Sequence, residues 1–265
     1  PDATFGVTVK HRVMDWETGK LGPAQPLAGA KVTAAGVVAE TDGSGVARLS
    51  GLPEGVHDVV VTGYGEDRAP GVLRTIGQVI VAGPYSDQSA IAGWAADWVR
   101  EARASGVLLG KDDRRDTAFE PRRGVTRAEF VTAMVRAIGV EPAAAGKAPV
   151  FADVAADAWY AGEIEAAAQA GLVAGVEAGK FAPDAPLTRE QAAQLLARAL
   201  KIQTVTALTP FADEAKVAPG AKAAVQAAIE QGWMTLQADG TFQPKSTVTR
   251  EQAAVIAVRL FREFR

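Results

Sequence analysis

One short motif recurs three times and limits the folds open to this chain more than any other feature: Thr126-Arg127-Ala128-Glu129, Thr188-Arg189-Glu190-Gln191 and Thr249-Arg250-Glu251-Gln252. Thr126 and Thr188 lie 62 residues apart, Thr188 and Thr249 61. Other features keep step. Tyr85-Ser86-Asp87, Phe151-Ala152-Asp153 and Phe211-Ala212-Asp213 open each unit. Gly106, Gly171 and Gly232 each end an alanine-rich amphipathic stretch, and Phe119, Phe181 and Phe242 each stand just before a proline-containing loop (Pro121, Pro183, Pro244). Four features in fixed order, three times over, mark a repeat architecture.

Each repeat predicts two helices. The first runs up to the glycine, the usual helix stop; the second starts at the Thr-Arg motif. In the second helix Phe130, Met134 and Ile138 share a face, as do Leu195, Ala199 and Ile202, and Val255, Val258 and Phe261. Threonine followed three residues later by Glu or Gln, just ahead of an apolar run, is a capping box. The arginine inside the box is out of place, because a cation in the first turn opposes the helix dipole. Such an arginine beside free helix amides would form a carboxylate site; the other reading of Arg127, Arg189 and Arg250 is plain solvated charge. On the carboxylate-site reading their removal would leave stability almost unchanged. Asp87, Asp153 and Asp213 are open to two roles, accepting from ligand hydroxyls or capping the segment that follows. Trp94 or Trp98, and Trp159, could pack the flat face of a ligand or sit in the core.

Before the repeats the rhythm is that of strands. Phe5-Val7-Val9 alternates with small or polar neighbours, and Lys31-Val32-Thr33, Val37-Val38, Val46-Ala47-Arg48-Leu49, Val59-Val60-Val61 and Val79-Ile80-Val81 follow. Turn signals separate them at Gly22-Pro23, Asp42-Gly43-Ser44-Gly45, Pro53-Glu54-Gly55 and Gly63-Tyr64-Gly65. Short strands at this spacing predict an antiparallel sandwich.

Composition removes several function classes. A net charge of −3 offers no general attraction to nucleic acid, which paired helices alone would otherwise allow. There is no cysteine, hence no disulfide, thiolate metal site or cysteine nucleophile, and no asparagine, hence no sequon glycosylation. His11 and His57 are the only histidines and lack a clustered carboxylate pair. Ser44 sits in a turn rather than a nucleophile elbow, and no phosphate loop or dinucleotide fingerprint occurs. The charge cluster Lys111-Asp112-Asp113-Arg114-Arg115-Asp116, where repeat one carries three extra residues, reads as a solvated loop. No apolar run is long enough to span a bilayer. Pro1-Asp2-Ala3-Thr4 has no basic or apolar leader, so the chain is expected to follow a removed signal or begin inside a longer protein. No catalyst, cofactor or metal is expected.

The repeats resemble the S-layer-homology family, in which aromatic-x-Asp, Gly-Leu-Val-x-Gly, Phe-x-Pro and Thr-Arg-Ala-Glu follow in that order; Phe151 to Leu200 matches nearly throughout. Residues 26–59 similarly resemble carboxypeptidase-regulatory-like and Cna-B-like modules, which are stalks and spacers. The missing asparagine rules out the version with a Lys–Asn crosslink. The expected chain is therefore multidomain: an all-β Ig-like sandwich over 1–84, then an all-α pseudo-threefold bundle of repeats 85–145, 146–205 and 206–265. The resemblance implies an extracellular protein at the bacterial cell wall. Its partner would be a secondary cell-wall polysaccharide, with pyruvylated N-acetylmannosamine the suspected unit, bound in grooves between repeats. The candidate ligand residues are Arg127, Arg189, Arg250, Asp87, Asp153, Asp213, Trp94 and Trp159. Repeat three places Pro219 where Trp159 aligns and Leu236 where Gly175 aligns, which puts a site there in doubt. Two alternatives remain: a lattice component that self-assembles in a surface layer, and the anchor of a larger exported enzyme.

Overall fold

The computed structural model describes residues 4–11, 20, 22–62, 74–81, 83–114, 118–144, 150–202 and 209–264. The chain divides into two compact units, Pro1–Gly83 and Pro84–Arg265.

The first unit is all antiparallel β. Strands β1 (Thr4–Thr8), β2 (Lys10–His11), β3 (Gln25–Pro26), β4 (Lys31–Ala34), β5 (Val37–Glu40), β6 (Val46–Ser50), β7 (Gly55–Thr62) and β8 (Arg74–Val81) form a four-stranded sheet in the order β5-β4-β7-β8, plus the pairs β1-β6 and β2-β3. Alternation along β4, β6 and β7 turns Val32, Ala34, Ala47, Leu49, Val59 and Val61 into one shared core. The sheets are smaller than the expected sandwich, because strands of two to five residues pair off locally. At the Asp42 turn the carboxylate accepts from the Ser44 hydroxyl (2.5 Å), from the amides of Val46 (3.1 Å) and Ser44 (2.9 Å), and from Arg48. These bonds hold the Asp42 carboxyl well below the usual range. Gly45, with φ +77°, is required there: a Cβ would lie 2.6 Å from the Val9 carbonyl oxygen. His57 is half-buried and bonds the Pro53 carbonyl through Nε2. The expected turn at Gly63-Tyr64-Gly65 lies outside the described residues.

The second unit is helical: α1 (Ala96–Ser105), α2 (Arg127–Ala137), α3 (Ala161–Gln169), α4 (Arg189–Ala199), α5 (Lys222–Glu230) and α6 (Arg250–Glu263), with single 3-10 turns between them. All three capping boxes form as expected, with Thr126, Thr188 and Thr249 accepting from the amides of Glu129, Gln191 and Gln252 and those side chains reaching back. Gly106, Gly171 and Gly232 are left-handed (φ +75°, +70° and +71°) and stop α1, α3 and α5.

Helix pairing runs between repeats. The helices of one repeat do not pair with each other; α3 packs on α2, α5 on α4, and α1 on α6. Each first helix thus covers the second helix of the preceding repeat, and the last pairing closes the ring. At its centre the backbone makes a three-way circuit: Val125 N donates to Val248 O (2.8 Å), Val248 N to Leu187 O (2.9 Å) and Leu187 N to Val125 O (3.1 Å). These three side chains are buried in one core with Phe119, Phe181 and Phe242.

Candidate ligand grooves between the repeats

The arginines follow the same cyclic rule. The Arg127 guanidinium lies 4.7 Å from the Phe181 ring centre, Arg189 4.6 Å from Phe242, and Arg250 5.0 Å from Phe119, so each stacks on the loop phenylalanine of the next repeat. Nη2 of each donates to the third residue after that repeat's helix-stop glycine: Ala174 O (2.8 Å), Thr235 O (2.8 Å) and Leu109 O (2.7 Å). Arg189 and Arg250 also donate Nε to Phe242 O (2.6 Å) and Phe119 O (2.7 Å). The Nε of Arg127 is buried without a partner. Burial holds all three guanidinium pKa values below the ordinary arginine value, with Arg198 adding repulsion at Arg127. They stay charged at neutral pH.

The phenylalanines are themselves positioned. Each packs against the aromatic residue that opens its repeat, at 5.1 Å for Tyr85–Phe119, 5.3 Å for Phe151–Phe181 and 5.9 Å for Phe211–Phe242. The repeated spacing of the aspartates then finds its use. Asp87 accepts from the amides of Phe119 (2.7 Å) and Glu120 (2.8 Å), Asp153 from Phe181 and Ala182 (both 2.8 Å), and Asp213 from Phe242 (2.7 Å) and Gln243 (2.9 Å). Asp87 and Asp213 stand at the N-caps of 3-10 turns, yet neither side chain caps them. The aspartates instead staple a loop some thirty residues downstream. Asp153 is exposed, Asp87 half-buried and Asp213 buried.

The expectation of free helix amides is corrected. The first two amides of α2 donate to Ala185 O and Pro183 O, those of α4 to Ser246 O and Pro244 O, and those of α6 to Arg123 O and Pro121 O. The third is taken by the capping threonine. An anion in these grooves therefore meets the guanidinium, not the bare helix end.

Two of the arginines line cavities. One, of about 350 Å³, is bounded by Arg127, the loop Ala174-Gly175-Val176, and Gln191, Gln194, Leu195 and Arg198 of α4. Gly175 is needed there, since a Cβ would lie 2.5 Å from Lys180 O. The other, of about 240 Å³, joins Arg189 to Thr235 and Gln237, to Gln252, Val255 and Arg259 of α6, and to Trp94, Trp98 and Trp233. Trp94 is 58 % exposed, an apolar platform open to solvent. Trp159 is 38 % exposed, lies edge-on to Tyr160 at 5.2 Å, and lines neither cavity.

At the third interface Arg250 is 1 % exposed, and its Nη1 donates to Glu129 Oε1 at 2.7 Å. Glu129 also accepts from Arg123 (2.6 Å) and the Thr126 amide (2.8 Å), and these partners lower its pKa against the effect of burial. Asp113 is not an idle solvated residue: both its oxygens accept from Arg136, at 2.7 and 2.8 Å. Among the described residues no metal-binding cluster is present. Trp233, Arg198 and Arg259 escaped the sequence reading, because placing them needed the cyclic pairing. Trp98, weighed there beside Trp94, lines the second cavity with it.

The S-layer homology domain model matches residues 84–131, 150–193 and 210–254. A surface-layer 125 kDa protein of Lysinibacillus sphaericus is 34 % identical over 191 residues, 71 % of this chain and 16 % of that one. An endoglucanase of Bacillus sp. (strain KSM-635) is 34 % identical over 178 residues, 65 % of this chain and 18 % of its own. An amylopullulanase of Thermoanaerobacterium thermosulfurigenes is 32 % identical over 170 residues, 62 % of this chain and 9 % of its own. The chain spans less than a fifth of the length of each of these relatives.

Proposed function

This chain belongs to the S-layer homology domain family, and we propose that it anchors a bacterial surface protein by binding a pyruvylated wall polysaccharide in the grooves of Arg127 and Arg189. The family and its surface-layer relatives make it a cell-surface, wall-associated protein. A surface-layer protein and enzymes of different names share this one segment, which supports an anchor with no catalysis of its own. The observation that carries the finer reading is the state of the two guanidiniums. Each lines a cavity, is largely desolvated, and forms no ion pair with a carboxylate among the described residues, Asp213 acting on Arg189 only from beyond ion-pair distance. Leaving a cation unpaired is costly, and a bound carboxylate relieves that cost. A pyruvate ketal supplies one carboxylate per sugar, and Trp94 offers a face for the ring.

In this reading the aspartates act indirectly, fixing the phenylalanine loops that carry the arginines, and Trp159 supports its own repeat. The β unit serves as a sandwich-type spacer. The test is co-sedimentation with cell-wall sacculi before and after chemical removal of the secondary polymer. Retention is expected only while the polymer is present. Equal retention on stripped walls overturns the reading, and concentration-dependent assembly without polymer would favour the lattice role.

A further inference from the structure

We infer that the groove between the third and first repeats is closed by the chain's own carboxylates, so that the ring offers two sites for a carboxylate-bearing sugar rather than three. The inference rests on the reading above and concerns the number of its sites. In the two open grooves, Nη1 of Arg127 and of Arg189 donates to no protein atom among the described residues, and the residue three positions into the facing capping box is a glutamine, Gln191 or Gln252, lining the cavity. In the third, that position is Glu129, and its Oε1 sits 2.7 Å from Nη1 of Arg250. The internal carboxylate thus takes the donor that a ligand carboxylate would need.

A second pair repeats the logic. Arg198 and Arg259, nine residues after the motif arginine, line the open cavities, and neither is paired with an acid among the described residues. The corresponding Arg136 is bound by both oxygens of Asp113 and by Glu163 (2.6 Å). Asp113 comes from the stretch where repeat one is longer than the other two. Both cations of the third groove are therefore neutralised from within, and Arg250 is sealed from solvent.

Glutamine completes the capping box equally well in two repeats, so Glu129→Gln removes the charge while keeping the cap. Titration of the whole chain with the methyl glycoside of pyruvylated N-acetylmannosamine, followed by calorimetry, should give two sites, and three in Glu129→Gln. The converse variant Gln191→Glu, which copies repeat one and carries little risk to folding, should reduce two sites to one. Three sites in the native protein, or an unchanged count in Gln191→Glu, overturns the closure while leaving the anchoring reading intact. If the probe binds neither protein, the sugar reading has failed. The closure is then decided by NMR: Arg250 Nη protons should exchange with water at least about tenfold faster in Glu129→Gln, and unchanged exchange overturns it.

Discussion

An arginine at the first position of a helix works against the backbone dipole by a few tenths of a kcal/mol, and three of them in register need a compensating contact. The sequence points to that contact but not to its form. The motif alone suggests a guanidinium beside bare amides; the fold gives those amides to the next repeat's carbonyls and lays the guanidinium across its phenylalanine. Spacing along one chain cannot reveal a partner 50 to 130 residues away, which is why the clamping role was not legible. The expected effects of mutation change accordingly. Arg127→Ala and Arg189→Ala should each weaken binding of a pyruvylated glycan by about 1.5–3 kcal/mol through loss of a charge-assisted bond. They should also lower the melting temperature, contrary to the near-neutral stability inferred from the motif. Arg250→Ala should leave the number of binding sites unchanged yet destabilise most, by about 3–5 kcal/mol, because it breaks a buried ion pair. Calorimetry beside thermal melts of the three variants checks the order.

Among the elements, the second helices were the most legible: the capping threonines stand where the sequence puts them, and Phe130, Met134, Leu195, Val258 and Phe261 are buried as their spacing predicts. Their partners were not, since an amphipathic stripe says only that something must cover it. The same holds for the aspartates, whose stapling of distant loops leaves no local signal. Asp213 is the buried member, and Asp213→Ala leaves the amides of Phe242 and Gln243 without an acceptor. It should cost about 2–4 kcal/mol, one to two unmet donors, with glycan affinity of the folded fraction unchanged. Thr188→Ala should cost about 1 kcal/mol as a lost cap. Denaturant melts distinguish the two. If Asp213→Ala melts normally but abolishes binding, the aspartate contacts sugar after all.

For the whole molecule, the division near Gly83 was visible as a change of hydrophobic period from two to 3.6. The size of the β sheets was not, because short strands carry too few residues to specify which neighbours they join. The helical unit has its own core, so residues 84–265 expressed alone should fold and bind polymer-bearing walls; loss of retention by a folded fragment refutes that assignment. Acid should lower the stability of the whole unit through the charge at one interface. The Glu129 pKa is lowered in the fold from its ordinary 4.5. Its stabilisation is therefore full above that value and lost as pH falls through the lower folded one. Melting temperature should drop on acidification, less steeply in Glu129→Gln. The packing of α1 on α6 has a last consequence. An open array of repeats frays from its ends, because a terminal unit has one neighbour and can detach alone. Here every unit has two neighbours, and removing any one bares two apolar faces at once. Unfolding should accordingly be all-or-none, and amide exchange should show no repeat opening ahead of the others.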